Sequence, residues 1–149
     1  MILKVFYGFV LSGALCVSCA FGALPSTNHY LFILFYSGHC PHCRRFAPVL
    51  SVYSRMSGFS VLAFTTDGFV LPSFPNSRVI SKNVLQTFFG EYAQLAVPAL
   101  FLLNRENGHA YPISQGALSY SELETRMNVL IPRILRYENR RRDEIIKKN

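Results

Sequence analysis

Tyr30-Leu31-Phe32-Ile33-Leu34-Phe35-Tyr36-Ser37-Gly38-His39-Cys40-Pro41-His42-Cys43 is the stretch that decides the fold. Its first seven residues are all apolar or aromatic, a run too short to cross a bilayer and without the alternation of a half-exposed strand. It reads as a strand buried on both faces, the kind found in sheets covered by helices. Ser37-Gly38-His39 breaks the run. From Cys40 onward apolar residues recur every three or four positions, at Cys43, Phe46, Ala47, Leu50 and Tyr53, which predicts a helix. Pro48 falls inside it, where a missing N–H should kink the axis. A second apolar run, Ser60 to Thr65, follows, so the unit is strand, helix, strand. A crossover of that length joins parallel strands, and the class is α/β.

Beyond this unit, Asp67 to Ser77 carries Gly68, Pro72, Pro75 and Asn76 and reads as a loop. Ser81 to Ala93 predicts a helix capped by Ser81, with Val84, Leu85, Phe88 and Phe89 on one face. Val97 to Leu103 is another buried strand, with Pro98 at its start, where the absent donor is tolerated. A turn at Asn104–Gly108 and a return strand from His109 to Ser114 make a hairpin. The last helix is expected to open with a capping box of Ser121 and Glu124 and to present Leu123, Met127, Leu130, Ile131, Ile134 and Leu135 to the core. Pro132 should bend or interrupt it. No internal repeat is visible.

The 149 residues are 50% hydrophobic with a formal net charge of +7, which fits one folded domain and excludes a disordered chain. The four cysteines are Cys16, Cys19, Cys40 and Cys43, two close pairs rather than a scattered disulfide framework. The first pair lies in a segment with one early lysine, Lys4, an apolar centre and small residues at Ser18, Ala20 and Gly22. This is the layout of a secretory signal, expected to cover residues 1–22 and to leave with Cys16 and Cys19. The competing reading is an uncleaved anchor. Residues 23–132 form the expected domain. Residues 133–149 form a basic helical tail in which Arg133, Arg136, Arg140, Arg141, Arg142, Lys147 and Lys148 face only Glu138, Asp143 and Glu144. With no aromatic but Tyr137 among its charges, it lacks a base-stacking platform, and the tail reads as a solvated helix end rather than a nucleic-acid surface. Membrane contact is expected only through the N-terminal segment or this tail.

Cys40-Pro41-His42-Cys43 stands where a buried strand meets a helix N-terminus. There, free N–H groups and partial positive charge favour a thiolate over a thiol. Cys40 at the mouth is the expected attacking nucleophile, and Cys43, one turn deeper, the resolving thiol. Pro41 occupies a position that helices accept, His42 when protonated would further favour the Cys40 thiolate, and His39 is expected on the substrate-facing surface. A zinc site built from His39, Cys40, His42 and Cys43 lacks a second pair of ligands from a separate element, so no metal is expected. Covalent haem would need His directly after the second cysteine, where Arg44 stands. A purely structural bridge across two residues closes too small a loop to stabilise the fold much. No cofactor is implied.

With its Phe46 and Pro48, this segment resembles the active-site segment of the thioredoxin superfamily, and the Pro-His dipeptide resembles that of the DsbA-type periplasmic oxidants. The resemblance implies a thioredoxin fold with a central mixed sheet of four or five strands flanked by helices. It also implies a cis-proline loop at Val97-Pro98 offering backbone groups to substrate. Over nearly the whole expected domain, the order of parts is similar to the TrbB family, the thiol-disulfide isomerases of F-type conjugative pilus assembly. Asp67-Gly68, Phe74-Pro75, Val97-Pro98-Ala99 and the stretch from Pro112 to Leu118 carry that likeness. That family implies an exported, periplasmic oxidoreductase or isomerase acting on cysteine-containing envelope proteins of a conjugative type IV secretion apparatus, reset by a membrane redox partner. Two departures stand out: Leu34 occupies the position of thioredoxin's buried carboxylate, and His39 that of its tryptophan. The contrasting expectation is a non-enzymatic thioredoxin-fold assembly factor that docks through its basic tail.

Overall fold

A computed structural model describes residues 29–90 and 95–148. The expected signal over residues 1–22, with Cys16 and Cys19, lies outside them, as do residues 91–94 at the end of the second predicted helix. The described elements, in chain order, are β1 (Tyr30–Tyr36), α1 (Pro41–Ser57), β2 (Ser60–Thr65), β3 (Arg78–Val79), α2 (Lys82–Phe89), β4 (Ala99–Asn104), β5 (Ala110–Gln115) and α3 (Tyr120–Lys148). They build a five-stranded mixed sheet in the order β3-β2-β1-β4-β5.

β1 is central because every one of its residues is buried. It pairs parallel with β2, Tyr36 opposite Thr65, and antiparallel with β4, Phe35 opposite Ala99. Successive side chains of β1 feed two different cores. Phe32, Leu34 and Tyr36 pack with Cys43, Phe46 and Leu50 of α1 and with Leu123 and Met127 of α3. Leu31, Ile33 and Phe35 pack with Phe64 and Phe101, covered by Val84, Phe88 and Phe89 of α2. Phe35 is fully buried, with the rings of Phe64, Phe88, Phe89 and Phe101 between 5.0 and 5.9 Å away. A continuous apolar run is what two buried faces require, and burying each such ring stabilises the fold by roughly 1.5–3 kcal/mol.

Local signals set the helix ends. Ser81 caps α2 by accepting from Val84 N–H at 3.3 Å, as its position predicts. Gly58 closes α1 at φ 76°, a conformation that suits glycine. The capping box of α3 falls two residues earlier than the sequence pattern suggested. The Ser119 hydroxyl accepts from Glu122 N–H, and Glu122 Oε2 accepts from Ser119 N–H at 2.8 Å. Both pairs have the required spacing, and only the position of the preceding turn chooses between them.

The expected interruption at Pro132 does not occur, since α3 runs unbroken from Tyr120 to Lys148. Nor does packing stop at residue 132. Ile134 is buried, and so is Glu138, whose carboxylate accepts from Asn107 Nδ2 at 2.7 Å, from the Tyr111 hydroxyl and from His109 Nδ1 at 3.2 Å. The boundary expected at 132/133 therefore falls inside a helix that the β4–β5 hairpin holds through Glu138, and the described residues beyond Glu138 are exposed. No described helix is long and apolar enough to cross a membrane.

Candidate active site

The end of β1 and the start of α1 bring the cysteine pair to the C-terminal edge of the parallel strands. Cys40 is the N-cap residue of α1, with extended backbone (φ −73°, ψ 120°), and Pro41 opens the helix. The Cys40 Sγ accepts from the backbone N–H of Cys43 at 3.4 Å, the interaction a serine or aspartate makes at an ordinary N-cap. Both cysteines are free; Cys40 is half-buried and Cys43 is 1% exposed.

Their environments drive the two thiols apart. For Cys40, partial burial opposes ionisation, but hydrogen bonding from Cys43 and the His42 backbone N–H, together with the Arg45 charge, outweighs it and holds the thiol below its ordinary 9.0. For Cys43, burial dominates and proximity to Cys40 adds to it, so its thiol is pushed up to about 12. The thiolate is thus favoured at the half-buried sulfur and disfavoured at the buried one.

His42, expected to favour the Cys40 thiolate when protonated, has its ring turned toward Arg45. Its side chain is exposed and its Nδ1 lies 3.1 Å from Arg45 Nη2. A guanidinium only donates, so the ring nitrogen is the acceptor in this contact. His42 reaches the Cys40 sulfur through its backbone N–H, and the positive charge in the neighbourhood is that of Arg45.

Across the site, the Val97–Pro98 peptide bond is cis. Val97 is half-buried and its carbonyl oxygen lies 3.9 Å from Cys40 Sγ. Pro98 is buried, and its carbonyl accepts from Gly116 N–H at 2.7 Å. The structure thus brings Val97 to Cys40, while Pro98 ties the loop to the end of β5.

Asp67, to which the sequence assigned no role, organises the loop before Cys40. Parallel pairing places the ends of β1 and β2 side by side, with Thr66 N–H donating to Tyr36 O at 2.9 Å. This sets Asp67 beside Ser37-Gly38-His39. Its carboxylate accepts from the Ser37 hydroxyl at 2.6 Å, Gly38 N–H at 3.1 Å, His39 N–H at 3.2 Å and the Thr65 hydroxyl at 2.8 Å, and it meets His39 Nδ1 at 3.0 Å. Desolvation opposes its charge, but these donors outweigh it and hold the carboxyl far below the usual carboxylate range. Gly38 is obligatory here for space. A Cβ on it would stand 2.4 Å from Phe69 Cβ and 2.6 Å from Phe69 O. Leu34 is buried in the same cluster as Cys43 and offers no proton acceptor there. Among the described residues no group of three or more metal-ligating side chains converges.

Comparison with known proteins follows this geometry. Residues 26–128 match the family described as TraF, F plasmid transfer operon protein. Over 99 residues the chain is 36% identical to Protein TrbB of Escherichia coli (strain K12), covering 66% of this chain and 54% of that protein. It is 31% identical over 99 residues to Protein TraF of the same organism, covering 64% of this chain and 37% of that protein. The chain therefore spans about half, or less, of the length of these relatives. A thiol:disulfide interchange protein of the thioredoxin family from Chlorobium tepidum TLS superposes with a TM-score of 0.54 at 15% identity, over 70% of this chain and 81% of that one. The fold is the thioredoxin fold.

Proposed function

The chain belongs to the TraF family of F plasmid transfer operon proteins, and from that membership we propose that it is an exported thiol-disulfide oxidoreductase or isomerase serving a conjugative transfer apparatus. Its substrates are cysteine-containing envelope proteins of the conjugative secretion and pilus machinery. It works in the periplasm after export directed by residues 1–22, and a membrane redox partner resets the pair; nucleic acid is not a ligand. The observation that carries the reading is the contrast between the two thiols. Cys40, half-exposed at a helix N-terminus, is favoured as thiolate, whereas Cys43, buried one turn below, is kept protonated with its thiol pushed up to about 12.

The chemistry balances as two exchanges. The Cys40 thiolate attacks one sulfur of a substrate disulfide; a bond forms between them, and the other substrate sulfur leaves as a thiolate. Cys43, once it has lost its proton, attacks Cys40 Sγ and expels the first substrate sulfur. The substrate disulfide is thereby reduced to two thiols and the Cys40–Cys43 pair is oxidised. Run backwards, the same steps oxidise a substrate dithiol. Isomerisation needs only the first step, followed by attack of another substrate thiol on the mixed disulfide and release of Cys40. Val97, with its carbonyl facing Cys40, and His39, exposed on the loop before it, lie where the substrate chain would pass; Pro41 and the His42 backbone shape the anion site.

Trapping tests the reading. Cys43→Ala, incubated with a disulfide-bonded protein substrate, should accumulate a mixed disulfide through Cys40 that dithiothreitol releases. Absence of that adduct, or its formation equally in Cys40→Ser, would contradict the mechanism.

A further inference from the structure

Beside the nucleophile the chain exposes two apolar residues that elsewhere would be expected in a core: Phe69 is 58% exposed and Val70 49%. They form the tip of the loop after β2, and the loop is anchored on both sides of them. Phe69 N–H donates to Asp67 Oδ1 at 3.0 Å, and the Thr65 hydroxyl lies 3.2 Å from Phe69 O. On the other side, Leu71 N–H donates at 3.3 Å to the hydroxyl of Tyr36, a fully buried residue. The tip also presses on the active-site loop itself. Phe69 occupies the space a Cβ on Gly38 would need, and its ring centroid lies 3.9 Å from that of His39 at an interplanar angle of 69°. His39 in turn is pinned by Asp67 and directly precedes Cys40.

An exposed aromatic side chain left to itself adds no stability, and a loop tip free to move would turn it inward. This one is held outward, against the residue adjoining the attacking sulfur, by hydrogen bonds from both strands of the parallel pair. Pre-ordering removes the entropy that a contact surface otherwise loses on binding. We propose that Phe69, with His39 beside it, is a recognition wall that reads an apolar side chain adjoining the cysteine of the substrate. The inference rests on the thiol-exchange reading and names the substrate chemistry of that same site. The occupant is a side chain of the chain being exchanged, because a disulfide that reaches Cys40 must lay its flanking residues along the surface next to it. His39 and Asp67 engage each other, and the residues that the loop tip adds beside them, Phe69 and Val70, are apolar.

The experiment compares wild-type protein, Phe69→Ser and Phe69→Leu on three probes. Two are peptide disulfides that differ only in Leu or Ser next to the reactive cysteine, and the third is hydroxyethyl disulfide, which has no side chain to read. Wild type should favour the Leu peptide by about fivefold in kcat/KM, within the range that an aromatic contact supplies. Phe69→Ser should lose that preference and Phe69→Leu should keep most of it, while all three react equally with hydroxyethyl disulfide and melt at the same temperature. A preference that survives in Phe69→Ser, or is absent from wild type, overturns the recognition wall while leaving thiol exchange standing. An equal loss on all three probes in Phe69→Ser also overturns it, because Phe69 would then act on the sulfur rather than on the substrate. Failure of wild type to react with hydroxyethyl disulfide at all overturns the exchange reading, and this inference with it.

Discussion

The carboxylate of Asp67 lies 2.6 Å from the Ser37 hydroxyl, joining the loop that follows β2 to the loop that precedes Cys40. The same carboxylate accepts from two successive backbone N–H groups, Gly38 and His39, so one side chain fixes the path by which the chain enters Cys40. Asp67→Ala would leave these donors without a partner and free the loop. We expect a destabilisation of about 1–3 kcal/mol, since buried or half-buried donors lose their acceptor, and a fall in exchange rate on every substrate. Asp67→Asn retains the shape but loses the charge and one acceptor, and should fall between the two proteins in both respects. Denaturant unfolding and kcat/KM measured on the same samples check this.

Alkylation should separate the two cysteines by pH. Only a thiolate is alkylated, so reactivity is lost as pH falls through the pKa of the folded protein. Cys40 is held below its ordinary 9.0 and Cys43 is pushed up to about 12. In reduced protein, Cys40 should therefore be modified by iodoacetamide at neutral pH faster than free cysteine is, with Cys43 untouched until strongly alkaline conditions. Mass mapping of the labelled peptide against pH gives both curves. Arg45→Ala should shift the Cys40 curve to higher pH, whereas His42→Ala, which keeps the backbone N–H, should shift it less.

Glu138 should be a stability residue despite its place among arginines. Burial opposes its charge, but Tyr111, Asn107, His109 and Asn104 donate to it and hold it below the ordinary 4.5. The sign follows from linkage: the stabilisation is complete above about 4.5 and is lost as pH falls through the lower folded-state value. Glu138→Ala should cost about 2–3 kcal/mol, because these four hydrogen-bond partners lose their acceptor, and should flatten the acid limb of the stability curve. Chemical denaturation from pH 7 down to pH 3 measures both.

A docking role for the basic tail needs a test that spares the fold. Truncation after Pro132 would remove the buried Ile134 and Glu138, so loss of function in that variant would report unfolding. Neutralising the exposed Arg140, Arg142, Lys147 and Lys148 to Gln leaves the packed face of α3 intact. The enzymatic reading predicts that disulfide exchange is unchanged in this variant. A non-enzymatic assembly factor predicts that conjugative transfer fails in it, while Cys40→Ser and Cys43→Ser transfer normally.

Four of the five strands and the cysteine motif were legible because their signals are local, whereas β3, two exposed residues at the sheet edge, carries no apolar pattern. A seven-residue apolar run can be satisfied only by two buried faces, and CxxC at a strand-to-helix junction has few uses. The cap at Ser81 was legible for the same reason. What the sequence hid depends on partners far along the chain. Asp67 looked like an ordinary loop aspartate because Ser37, Gly38 and His39, which it binds, come about thirty residues earlier and meet it only through parallel pairing of β1 with β2. Glu138 read as one acid in a solvated basic tail because its partners lie on the β4–β5 hairpin. His42 was expected to act through a protonated ring; its ring points to Arg45, and composition gives no indication of which way an exposed imidazole turns.

The central claim is that Cys40 and Cys43 exchange disulfides with protein substrates, and refolding of a scrambled, disulfide-bonded protein by the reduced enzyme tests it most directly. Wild type should restore the native disulfides faster than a glutathione buffer alone, Cys40→Ser should abolish the gain, and Cys43→Ser should retain part of it, because isomerisation needs only the first attack. A wild-type rate equal to buffer, or full activity in Cys40→Ser, would contradict the account.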